Sequence, residues 1–135
     1  MNTSKTFTVS FIAALLASTT LYAAEAQTAL PPIQMVSGGV GDAGMDDIAA
    51  TQNHYTVKLI FAEPTGEYLA DIEVQVRDKK GSMVVNTTSG GPILLMNLKP
   101  GLYTVSSTIA GETKAQRIVV HGKGLNSYYI HLHSA

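Results

Sequence analysis

The closest approach to reactive chemistry in this chain is His131-x-His133, near its C-terminal end. Alternation along an extended strand puts both imidazoles on one face, close enough to share a metal ion. A closed zinc site needs about four ligands, typically His and Cys. His54 and His121 are the other histidines, and there is no cysteine. The competing reading is a solvent-facing pair opposite inward Ile130 and Leu132. The second chemical candidate is an aromatic platform for sugar. Tyr128-Tyr129 must place one ring on each face of a strand, and Tyr68 follows a turn. Tyr68 and Tyr128 are the candidate ligand-binding residues, weighed against ordinary packing of tyrosine with its hydroxyl at an edge.

Other chemistries lack their residues. Glu63, Glu67, Asp71 and Asp78 do not have the Asp-rich spacing of a calcium loop. Gly38-Gly39-Val40-Gly41 lacks the Lys and Ser/Thr of a phosphate loop, and Ser89-Gly90-Gly91 lacks the G-x-S-x-G elbow. No catalytic residue, enzyme activity or cofactor is expected.

The elements that must position these side chains begin after an export signal. MNTSKTFTVSFIAALLASTTLYAAEA has a polar start carrying Lys5 and an apolar run from Phe7 to Ala17. That run is too short to span a bilayer, and Ala24-Glu25-Ala26 fits a signal-peptidase site. Cleavage after Ala23, Ala24 or Ala26 is open, and residues 1–26 are taken as the signal. Removing 26 residues from 135 leaves 109, enough to bury a core without staples. The expected setting is the periplasm, with an extracellular one possible. No later segment is apolar enough to span a membrane. The chain carries a net charge of −1 with its basic residues scattered, which argues against nucleic acid as partner.

Residues 27–41, QTALPPIQMVSGGVG, read as a flexible arm or linker, Pro-rich and then Gly-rich. Residues 42–53 read as a short helix, with Met45, Ile48 and Ala49 on one face and Asp42 as its cap. From residue 54 the period changes to two. HYTVKLIFA turns Tyr55, Val57, Leu59 and Phe61 inward, and ADIEVQVRD turns Ile72, Val74 and Val76 inward. Asp78-Lys79-Lys80-Gly81 signals a hairpin. SMVVNTTS, ILLMNL, LYTVSSTI, KAQRIVVH and SYYIHLH complete the count, with Lys99-Pro100-Gly101 and HGKGLN read as tight returns. ILLMNL is apolar on both faces, as in a sheet packed on both sides. Seven short strands at near-regular spacing predict an all-β, seven-stranded antiparallel β-sandwich preceded by a short helix.

YTVKLIFAEPTGEYLADIEVQVRDKKGSMVV, then GGPILLMNLKPGLYTV and KAQRIVV, resembles the carboxypeptidase regulatory-like domain, across about residues 54–133. The preceding GGVGD resembles the lead-in of small exported proteobacterial proteins that carry it. The resemblance implies a transthyretin-like sandwich in the periplasm and no hydrolytic role, since that module accompanies a catalytic domain in the parent carboxypeptidases. Hydroxyisourate hydrolases of similar fold end in Tyr-Arg-Gly-Ser, whereas this chain ends in His-Leu-His-Ser-Ala. The expected function is therefore a non-catalytic binding or accessory module that recognises a protein partner, or alternatively a carbohydrate or cell-wall glycan. The candidate recognition loops are Glu63–Glu67, Ser89–Pro92 and His121–Asn126, together with an open sheet edge.

Overall fold

The computed structural model describes residues 32–134; the signal reading and the start of the arm lie outside them. The strands are β1 (Met35–Gly38), β2 (Val57–Ala62), β3 (Ile72–Asp78), β4 (Met83–Ser89), β5 (Ile93–Met96), β6 (Gly101–Ile109), β7 (Glu112–Val120) and β8 (Asn126–His131). Helix α1 (Gly41–Thr51) and a short 3-10 turn (Gln52–His54) separate β1 from β2. Two four-stranded sheets result, ordered β1-β5-β2-β8 and β4-β3-β6-β7.

Alternation decides the faces. In β3, Ile72, Val74 and Val76 are fully buried while Glu73, Gln75 and Arg77 are exposed. They meet Val57, Leu59 and Phe61 of β2, Leu94 and Met96 of β5, and Ile130 of β8 in one apolar cluster shared by both sheets. Each such side chain contributes about 1.5–3 kcal/mol through burial. The architecture is sandwich-like. β5 is apolar on both faces because its other face is covered as well. Ile93 and Leu95 join Ile60 and Ile48 in a second cluster beneath α1.

Among the described residues there are eight strands rather than seven. The additional one, β1, lies inside the segment read as an arm, and it forms because its backbone pairs with β5 from Met35↔Met96 to Gly38↔Ile93. Nor is the fold wholly antiparallel, since β8 runs parallel to β2 from Val57↔Asn126 to Ala62↔His131. The hairpin expected at Asp78–Gly81 forms. Asp78 Oδ1 accepts the N–H groups of Lys80 and Ser82, and Gly81 has φ +85°. β6 and β7 form the second hairpin over Ala110-Gly111, both at positive φ, which matches the twist of the flanking strands.

Lys99-Pro100-Gly101 and His121–Asn126 are not hairpins. Each carries the chain from one sheet to the other, since β5 and β6 belong to different sheets, as do β7 and β8. The first crossing is anchored twice. Tyr103 donates its hydroxyl to the Lys99 carbonyl at 2.7 Å, and Leu98 N–H donates to Thr56 Oγ1 at 2.9 Å. Burial raises the Tyr103 phenol above its ordinary pKa, with the Asp78 charge adding to the effect.

Three smaller expectations are corrected. Tyr55 packs with the cluster under α1 instead of sharing the Val57 face, because the regular strand starts only at Val57. Ala49 is exposed, and Gly44 takes the inward position, where its lack of a Cβ lets α1 approach the Gly39 backbone. Val40, not Asp42, is the N-cap residue, and no side chain caps it.

Candidate functional site

The two C-terminal histidines have different partners. Ile130 and Leu132 are fully buried, so His131 and His133 are turned outward. The His131 ring stacks on Tyr129, with centroids 6.3 Å apart and planes 14° from parallel. Its carbonyl accepts Lys114 Nζ at 3.2 Å. His133 turns instead to Glu112, donating its backbone N–H to Oε2 at 3.0 Å and placing Nδ1 3.2 Å from the same oxygen. That backbone bond, ahead of the imidazole contact, lowers the Glu112 carboxyl below its ordinary pKa. Glu63 is lowered as well, first by the Ser134 hydroxyl and then by the Ser134 N–H. Among the described residues no three His, Cys, Asp or Glu side chains converge as ligands for a metal ion.

The tyrosines divide by strand phase. Tyr128 points inward and packs at the margin of the core, while its hydroxyl accepts Val119 N–H at 3.1 Å and donates to the Val119 carbonyl at 2.5 Å. Tyr129 and Tyr68 are each 58% exposed. Register then brings together residues far apart in sequence. Ala62 pairs with His131 on one side and with Tyr68 on the other. Paired residues share a face of a sheet, and Phe61 faces the inter-sheet core, so Tyr68, Ala62 and His131 form a row on the outer face. Ile60 pairs with Tyr129 in the next outward row. The structure thus unites Tyr68 and His131, adds Tyr129, and leaves Tyr128 and His133 in other contacts. The alternation that sends Ile130 and Leu132 inward also sends Tyr128 inward. The strand pattern therefore carried the signal for Tyr129.

Of the three recognition loops, one is committed to packing. Ser89, Gly91 and Pro92 are buried, and a Cβ on Gly91 would stand 2.3 Å from the Gly38 carbonyl oxygen. Residues 64–67 of the first loop are exposed beyond the turn closed by Gly66 N–H and the Glu63 carbonyl. Asn126 organises the third loop by accepting His121 N–H and donating to the Thr56 carbonyl. A hollow of about 220 Å³ lies between Asn53–Thr56 and Gly124-Leu125. It falls short of the 300 Å³ or so at which small-molecule pockets begin.

The edge strands complete the inventory of surfaces. In the β6–β7 hairpin Ile109 faces Glu112 across a two-residue turn, which sets which residues exchange ladder hydrogen bonds throughout that sheet. Followed across β3, the alternation leaves the backbone groups of Asn86 and Thr88 on β4 directed away from the sheet.

No protein-family model matches the chain, and a search of curated proteins gives no match.

Proposed function

We propose that this chain is an exported, non-catalytic binding module of the carboxypeptidase regulatory-like, transthyretin-like kind, and that it recognises a protein partner in the periplasm by accepting a strand at β4. One observation carries the reading. β4, MVVNTTS, is a sheet-edge strand without a charged residue or proline. Natural edges are commonly blunted by lysine, proline, bulges or a covering element. Among the described residues the only such device here is the register shift opposite Val76/Arg77, at the Met83 end. Beyond it Val85–Ser89 offers a regular ladder, with Asn86 and Thr88 as its free rungs. Strand addition would draw affinity from main-chain hydrogen bonds and selectivity from alternate side chains. No helix among the described residues is long and apolar enough to cross a membrane, which is compatible with this setting.

A photo-crosslinking residue at Thr88, set against one at Thr113 on the other edge of the sheet, tests the proposal in periplasm at native abundance. The expected result is an adduct of one defined mass from position 88 alone. Asn86→Pro should abolish it while leaving the fold intact, because the lost N–H points away from β3. Equal labelling from both edges, or no adduct, would overturn the reading. An adduct of twice the chain mass would replace the partner with a second copy of this chain.

A further inference from the structure

We infer that the outer face of the β2–β8 pair is a saccharide platform built from Tyr68, Tyr129 and His131. This site is separate from the β4 edge and does not depend on it. Tyr129 and His131 stand two residues apart on one strand, with their rings near parallel in a shared stack. Tyr68 lies across Ala62, two strand spacings or about 10 Å from His131. The small Ala62 side chain between them is itself 3% exposed. The accessible surface here is therefore that of the rings, with Tyr68 and Tyr129 each 58% exposed.

Size and charge select the ligand. A tyrosine can bury about 150–250 Å². At 58% exposure, each of these two rings has roughly 100 Å² to offer. A stable protein interface takes about 800 Å² per partner, several times more than the three rings supply. Phosphate or nucleic acid would require concentrated positive charge. The lysines at its margins are engaged singly, Lys58 by Gln52 Oε1 at 2.9 Å and Lys114 by the His131 carbonyl at 3.2 Å. What fits is a neutral molecule with flat C–H faces to lie on rings and hydroxyls along its edges. That is a pyranose chain. Polar groups stand at both ends of the strip, Lys58 paired with Ser127 at one and the Glu63–Ser134 contact at the other.

The test is an NMR titration of the purified protein with the tetramer of N-acetylglucosamine and, separately, with cellotetraose. The expected result is a saturable shift confined to Tyr68, Tyr129, His131 and their neighbours with at least one of the two sugars. Tyr68→Ala and Tyr129→Ala should each weaken binding about three- to tenfold, the scale of one aromatic stack. Tyr128→Phe should leave affinity unchanged, because that hydroxyl is already held by Val119. Absence of saturable shifts at about 10 mM of both sugars, a dissociation constant weaker than any useful stack, would overturn the inference. So would full binding in the Tyr68→Ala/Tyr129→Ala double variant. A proline-rich peptide that binds this face where neither sugar does would reassign it to peptide recognition. Thr88 crosslinking reads the other site, so either proposal can fail alone.

Discussion

The two flanks of the sandwich are closed by different means. On the β7–β8 flank, side chains lace the opposed edges together. Tyr128 occupies the backbone slot of Val119, Lys114 reaches the His131 carbonyl, Glu112 takes the His133 N–H, and Asn126 holds His121. On the β1–β4 flank Ile33, Met35 and Val84 pack against the shared core, and the β4–β5 loop brings Gly91 against the Gly38 backbone, with Gly90 N–H donating to Ser37 Oγ at 3.3 Å. Lacing consumes edge hydrogen-bonding groups, whereas a single tight contact near one end leaves the rest of the strand free. The difference teaches where a partner strand can enter: the flank whose backbone is tied at one point is the one with vacant rungs.

The largest effect should come from that single point. A Cβ at position 91 would lie 2.3 and 2.7 Å from the Gly38 oxygen and carbon, which are backbone atoms that no rotamer change removes. Gly91→Ala should therefore cost about 3 kcal/mol, the upper range of overpacking, or prevent folding. Gly38→Ala meets only the Ile48 side chain, at 3.3 Å, and should be the milder change. Urea unfolding compares them. Equal losses would mean that the flank is not held by this contact.

Tyr128→Phe tests the laced flank. The ring keeps its packing, while Val119 N–H and C=O are returned to water. The expected loss is about 1 kcal/mol, the net worth of an ordinary hydrogen bond. No measurable change in the unfolding midpoint would show that water replaces the hydroxyl without cost, and that the lacing is geometric rather than energetic.

Much of this contrast is invisible locally. The inward set Ile72, Val74 and Val76 and the Asp78–Gly81 turn were legible because strand phase and turn chemistry are encoded within a few residues. β1 was not, since Val36-Ser37-Gly38 has little strand preference of its own and is ordered by β5, nearly sixty positions away. Pro-Gly and Gly-rich segments announce that the chain turns, yet a hairpin and a crossing between sheets use the same residues. Lys99–Gly101 was therefore misread as a return within one sheet, and the parallel alignment of β8 with β2 followed from contacts that no turn signal contains. At the candidate site, Tyr68 and His131 could each be singled out by type. Their union could not, because it depends on Ala62 standing between them in register.

The smallest effect separates charge from shape within the lacing. Glu112 is exposed enough that solvent screens much of its interaction, yet its carboxyl is held below the ordinary value of 4.5 by the His133 N–H and, less strongly, by the His133 ring. A carboxyl lowered on folding contributes stability that is fully present above its unfolded pKa and disappears as pH falls through the folded one. Glu112→Gln keeps the shape and an acceptor oxygen but removes the titration. Wild type should exceed the variant slightly in stability near neutral pH, and the two should converge as the solution is acidified below about pH 4.5. Added salt should narrow the neutral-pH gap, because an exposed charge is readily screened. Denaturant midpoints for both proteins across this pH range decide the matter. A gap that persists at the acid end would mean that Glu112 works through its hydrogen-bond geometry alone, leaving the β7–β8 flank laced as firmly without the charge as with it.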